Sequence, residues 1–188
     1  LQDYHNDPEH FAQIIVINVL SGLMALHDAG YIHRDIDPSN IMLTSDGHIK
    51  LIDFGIDKQM NTLTTGDKSL TVAGKFMGQP EYAAPELVLG DIRHQNQTTD
   101  IYSVGILLYQ CIIGHTPFEG ARHEILEMQL KAKLPLDKIK SKALRNIIAT
   151  ACEKKQELRY QTSAQMRVAL ETMNGSKRAM TTKRKVSI

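Results

Sequence analysis

The chain has 188 residues, enough for one domain with a buried core, and its 42% apolar and 23% charged residues are ordinary for a globular protein. A net charge of +1 gives no overall field that would draw a nucleic acid or a membrane surface. Two cysteines, Cys111 and Cys152, fit neither a metal-ligand spacing nor a disulfide framework and read as buried thiols in a reducing compartment. No run reaches the roughly eighteen consecutive apolar residues of a membrane span, and no signal-peptide pattern is visible. The first residue is Leu1. A fragment is therefore expected, and the lack of targeting signals speaks only for this stretch.

Asn6-Asp7-Pro8-Glu9 reads as a helix start: Asp7 caps, Pro8 suits the first helical position, and Glu9 favours the positive end of the dipole. Phe11, Ile14, Ile17, Leu20 and Met24 recur at helical spacing. Ile15, Val16, Val19, Leu23 and Leu26 widen that stripe, which predicts a helix buried on most sides and closed by a left-handed Gly30. Residues 41–43 and 49–52 read as short strands joined by a Ser45-Asp46-Gly47 turn. Residues 55–82 are polar and rich in threonine, and a loop this long in a compact domain is usually functional or mobile. Thr98-Thr99-Asp100 opens a second apolar helix, closed by Gly114. Amphipathic helices are expected near 121–131, 141–153 and 163–173. The basic end, 175–188, reads as a disordered tail; the alternative is a juxtamembrane segment drawn to anionic lipid.

Between these elements lies His33-Arg34-Asp35-Ile36-Asp37-Pro38-Ser39-Asn40, followed by Asp53-Phe54-Gly55 and then Ala84-Pro85-Glu86. H-R-D-x-x-x-x-N, D-F-G and A-P-E are each weak alone; together, in this order, they are a strong signal. The hairpin puts Asn40 just before one strand and Asp53 just after the other, so two oxygen ligands share a rigid base. On these residues the chain resembles the C-terminal lobe of a bacterial-type Ser/Thr protein kinase catalytic domain. The resemblance implies a mainly α, kinase-like α+β fold: a helical body over 1–174, short β-hairpins at the catalytic site, and an activation segment over 53–86. It implies ATP and Mg²⁺ as cofactors, a protein substrate, and a cytoplasmic location, free or as the inner part of a membrane-anchored kinase. Asp35 would accept or orient the proton of the substrate hydroxyl. Asn40 and Asp53 would hold metal, and Met42, with Asp53, would border the nucleotide. His33 and Phe54 would support the site from below. Arg34 would pair with a phosphate on the activation segment, with Thr71 ahead of Ser69, Thr64 and Thr65 as acceptor. Asp100 would hold the backbone of the H-R-D turn, and Glu86 would pair with Arg159.

Two features depart from the family pattern. The Lys usually found two residues after the catalytic Asp is Asp37, and the Thr it contacts is Gln79, in Gly78-Gln79. A carboxylate about 4 Å from a phosphate oxygen repels it by up to about 4 kcal/mol at an effective dielectric near 20. Asp37 would therefore slow transfer unless it joins the metal shell; turned to solvent, it would be harmless. No glycine-rich loop and no strand Lys precede the motifs, so the N-terminal lobe is expected as a missing partner. The leading reading is a partial Ser/Thr protein kinase domain. A kinase-like scaffold without phosphotransfer is the alternative, and a small-molecule phosphotransferase is disfavoured by the A-P-E segment. Ser39 and Gln110 stand where arginine-directed kinases are acidic, which predicts no strong preference for basic residues in the substrate.

Overall fold

The computed structural model describes residues 7–52 and 78–184. In chain order these form α1 (Pro8–Asp28), β1 (Ile41–Leu43), β2 (Ile49–Leu51), α2 (Pro85–Val88), α3 (Gln97–Ile113), α4 (Arg122–Lys131), α5 (Lys142–Ala151) and α6 (Ser163–Arg184). Single 3₁₀ turns lie at Pro38–Asn40, Pro80–Tyr82, Ile92–His94 and Gln156–Leu158. The body is helical, and the described residues hold one two-stranded antiparallel sheet, with Ile41 opposite Leu51 and Leu43 opposite Ile49. This is the mainly α, kinase-like architecture expected from the motifs.

Helix α1 starts as its sequence dictates. The Asp7 side chain accepts from His10 N at 3.0 Å, and Pro8 fills a first-turn position that needs no N–H donor. Past its end, Gly30 takes φ 83°, a left-handed value that favours glycine. The buried face is Ala12, Val16, Val19, Leu20 and Leu23, whereas Ile14 is 43% exposed and Phe11, Ile17 and Met24 are only half-buried. The stripe expected from Phe11, Ile14 and Ile17 is thus rotated. A helix apolar on most sides has no single face that periodicity can choose, so its neighbours α3 and α6 choose it. By length and a mean hydropathy of 1.5, α1 could also cross a membrane. Here one face of it packs on α3 and α6, and the polar Gln13 and His27 lie buried among its partners.

Helix α3 is the centre of the core: Ile101, Tyr102, Val104, Ile106 and Leu108 are fully buried. Asn96 caps it reciprocally with Thr99, so the helix begins slightly before the expected Thr98. It ends at Gly114, with φ 94°. Midway, Gly105 lets α5 come close, since a Cβ there would sit 2.5 Å from Cys152 Sγ and 2.9 Å from Ala151 Cβ. Helix α6 continues to Arg184, where a disordered tail from 175 was expected. Once a helix is nucleated, each added residue fixes one backbone bond at small cost, and residues 176–184 contain no proline to stop it.

Candidate active site

The catalytic turn is built around a carboxylate that never meets solvent. Asp100, fully buried in the first turns of α3, accepts His33 N at 2.8 Å through Oδ2 and Arg34 N at 2.7 Å through Oδ1. Oδ2 also accepts His27 Nε2 of α1 at 2.8 Å, and His27 Nδ1 pairs with Ser163 Oγ at 3.1 Å. These bonds hold Arg34 at φ 68°, a left-handed backbone that non-glycine residues seldom adopt. Such strain persists only where the surroundings over-determine it, and it clusters at functional sites. Asp100 thus lies where the motif reading placed it, while the roles of His27 and Ser163 were not foreseen.

The strained turn delivers Asp35 to the surface and Asn40 into the protein. Asn40 Nδ2 donates to Asp35 O at 2.8 Å and to Asp35 Oδ2 at 3.2 Å. With its N–H groups committed to Asp35, the amide oxygen Oδ1 is the atom left to face a cation. The backbone just before Asp53 is clamped to the same place. Ile52 N donates to Asn40 O at 2.8 Å, and Ile52 O lies 3.3 Å from His33 Nε2. Asp35 N reaches His33 Nδ1 at 3.3 Å, so Nε2 is the nitrogen that carries the proton toward Ile52. His33, 3% exposed, therefore braces the site from beneath. Asp53, Phe54 and Thr71 lie outside the described residues. Met42 is 45% exposed on β1, opposite Lys50.

Oxygen donors suit a hard divalent cation. Asn40 Oδ1 and the exposed Asp35 carboxylate supply two such groups within one short turn, to which Ile52, the last described residue before Asp53, is bonded. That donor set fits Mg²⁺.

Arg34 carries a second signal. Its Nε is buried without a hydrogen-bond partner among the described residues. Burial lowers the pKa of its guanidinium, while the Asp100 charge acts to raise it. A half-buried cation with an unspent donor suits an added anion.

Asp37 is turned inward as a cap, a local role that none of its sequence readings supposed. It is 4% exposed and folds back on its own turn, accepting Ser39 N at 2.6 Å and Ser39 Oγ at 2.5 Å as the cap of Pro38–Asn40. The solvent-facing alternative is therefore overturned. The signal was local: Asp37-Pro38 repeats the Asp7-Pro8 pairing that opens α1. The Asp37 charge reaches Tyr82, whose hydroxyl donates to Gln110 Oε1 at 2.5 Å. Burial, with the charge of Asp37 behind it, pushes the Tyr82 phenol up to about 12. Gln79 is exposed, one residue ahead of the Pro80–Tyr82 turn.

Glu86 and Arg159 meet as a two-pronged pair, Nη1 to Oε1 at 2.8 Å and Nη2 to Oε2 at 3.0 Å. Thr99 Oγ1 also donates to Glu86 Oε1 at 2.7 Å. Arg159 donates further to the carbonyls of Glu153 and Thr98, at 2.7 and 3.0 Å, and stacks 5.0 Å from the Tyr102 ring centre. Burial alone would raise the Glu86 pKa; the hydrogen bonds and charge of Arg159 outweigh it and leave the carboxyl below its ordinary value.

A left-handed H-R-D turn held by a helix-start Asp, an Asp/Asn pair beside the end of a hairpin, and a buried A-P-E glutamate on an arginine together fit a protein kinase domain. The family model "Protein kinase domain" matches residues 2–171, and the chain belongs to that family. It is 33% identical over 151 residues to the serine/threonine-protein kinase AtPK1/AtPK6 of Arabidopsis thaliana, covering 80% of this chain and 30% of that protein. It is 37% identical over 129 residues to the serine/threonine-protein kinase PknL of Mycobacterium tuberculosis, covering 68% of this chain and 31% of that protein. Protein kinase 3 of Dictyostelium discoideum matches at 37% over 138 residues, covering 71% of this chain and 15% of that protein. The chain thus spans less than a third of the length of these relatives.

Proposed function

We propose that this chain supplies the catalytic lobe of a Ser/Thr protein kinase that transfers the γ-phosphate of MgATP to a protein hydroxyl, with turnover limited by Asp37. The observation that carries this reading is the Asp35–Asn40 pair, bonded at 2.8 and 3.2 Å and joined through Asn40 O to Ile52. Phosphoryl transfer asks the protein mainly for position and electrostatics. Asp35 would orient the substrate hydroxyl and accept its proton late in the step. Asn40 Oδ1 and Asp53 would hold Mg²⁺, which when bound neutralises the phosphate charge. Arg34, with its unspent donor, would take a phosphate from the activation segment, Thr71 being the first candidate.

The Ser/Thr preference rests on the Pro38-Ser39 context and on the names of the relatives. The experiment is a nucleotide thermal-shift titration on the intact protein, with and without Mg²⁺, followed by phosphate transfer to a peptide library. A Mg²⁺-dependent stabilisation that disappears in Asp53→Asn, together with label on Ser or Thr, is the expected result. One observation favours the scaffold reading: a buried carboxylate at Asp37 where the family has Lys. Under that reading nucleotide can still bind, and no label reaches any peptide.

A further inference from the structure

Helix α4 is polar and mostly exposed, and it buries only Ile125 and Gln129. A fully buried glutamine on such a helix calls for a reason, because burying an amide costs free energy unless its hydrogen bonds are all met. Those of Gln129 are met in an unusual way. Its Nε2 donates to two nearby backbone carbonyls of the Pro80–Tyr82 turn, Pro80 O at 3.1 Å and Glu81 O at 2.6 Å. Its Oε1 accepts from Tyr102 OH at 2.6 Å. Tyr102 OH in turn accepts from Lys154 Nζ at 2.9 Å, and that ammonium lies 5.2 Å from the Phe118 ring centre. Arg122, at the start of the same helix, donates to Gly78 O at 3.2 Å. Helix α4 therefore grips the carbonyls of residues 78, 80 and 81 in succession.

That stretch is tied to the helix that anchors the catalytic turn. Gln79 lies within it, Tyr82 closes it, and Tyr82 O accepts from Ser103 Oγ of α3 at 2.7 Å, three residues past the Asp100 that holds His33 N and Arg34 N. We propose that Gln129 is a positioning residue for the protein substrate: oriented by Tyr102 and Lys154, it sets the height of the 78–82 backbone against the catalytic turn. The inference rests on the kinase reading above, and it makes the buried face of α4 part of substrate engagement without any contact to nucleotide. Tyr102 fixes which way the amide points, since its hydroxyl proton forces Oε1 toward α3 and both N–H groups toward the turn.

The test compares Gln129→Met and Tyr102→Phe with wild type in the intact protein, by steady-state kinetics and by amide hydrogen exchange. Gln129→Met keeps length and apolar volume but has no donor. Its peptide KM is expected to rise at least fivefold, equivalent to about 1 kcal/mol. ATP KM and kcat should stay within about twofold, the size of change ordinary for a residue outside the nucleotide site. Exchange at the Tyr82 and Ala83 amides should accelerate while α1 stays protected. Tyr102→Phe leaves the turn bonds in place but frees the amide to rotate; a smaller rise in peptide KM, about twofold to threefold, is expected. Peptide KM unchanged in Gln129→Met, or rising in step with ATP KM, overturns the proposal. Should Gln129→Met fail to fold, an unchanged peptide KM in Tyr102→Phe overturns it instead. Wild-type protein that transfers no phosphate overturns the kinase reading. The exchange measurement needs no turnover, so it separates that failure from a failure of the positioning role: unaltered protection at the turn sinks the role of Gln129 alone.

Discussion

Asp37 carries two effects that can be separated at a single atom. Its carboxylate caps Pro38–Asn40 through Ser39, and its charge acts on Tyr82 and, in the function proposed above, on the arriving phosphate. Asparagine keeps a capping oxygen and removes the charge. Asp37→Asn is therefore expected to raise kcat by about tenfold with little change in Tm, drawing on part of the up to about 4 kcal/mol of repulsion. Asp37→Lys with Gln79→Thr should raise kcat further, but at the loss of a cap worth about 1 kcal/mol; a double variant no faster than wild type would refute the role given to Asp37. The Glu86–Arg159 pair tests the opposite case, a buried charge that depends on its partner. Glu86→Gln leaves Arg159, itself 3% exposed, without its anion, and should cost about 3–5 kcal/mol in urea unfolding. The pair also has a pH signature. The folded pKa of Glu86 is below the ordinary 4.5, so its contribution is present above that value and is lost as pH falls through the lower, folded value. Acid unfolding of wild type should begin at lower pH than that of a variant lacking Arg159.

Among the elements, α3 and α5 meet at a contact that only glycine allows. A methyl at Gly105 would press on the Cys152 sulfur and the Ala151 methyl, both on backbone that cannot give way freely. Gly105→Ala should cost about 1–3 kcal/mol as an overpacked core, read as a fall in Tm, despite alanine's better helix propensity. The elements also separate what was legible from what was not. Caps and stops act over three or four residues, so Asp7-Pro8, Gly30, the strands at 41–43 and 49–51 and the end at Gly114 could be read directly. The face of α1 could not, because Ile14 and Val16 are equally apolar and only the packing of α3 and α6 distinguishes them. The α6 extension escaped because a basic segment without an apolar stripe carries no helix signal in its sequence pattern.

At the scale of the whole molecule, titration outside the catalytic site governs the alkaline limb of stability. Burial, reinforced by Arg159, lowers Lys154 from 10.5 to about 8, despite the opposing Cys152 and Glu153. Between those values the unfolded chain binds the extra proton, so this group adds stability as pH rises from about 8. Burial pushes the Cys111 thiol to about 11 and the Cys152 thiol to about 12, from an ordinary 9.0. Their contribution is full below 9.0 and fades as pH climbs through the higher values. Tm should therefore rise between pH 8 and 9 and turn over above that, and Lys154→Met should flatten the rise. The Asp35–Asn40 pair, the Asp100 anchor and the Glu86–Arg159 pair could be placed from sequence because their residues sit in or near short motif strings. Gln129 could not, because the acceptors of its N–H groups lie 48 and 49 residues away and are backbone carbonyls, which leave no mark in a sequence. Finally, the Asp100 carboxylate takes its protons from His27 on α1 and from His33 and Arg34 in the turn, while His27 reaches on to Ser163 at the head of α6. Such an anchorage leaves the peptide bond after Arg34 no private way to open. Trypsin should cut there only as fast as the entire helical body comes apart, so the nicking rate at that one arginine would serve as a gauge of global unfolding.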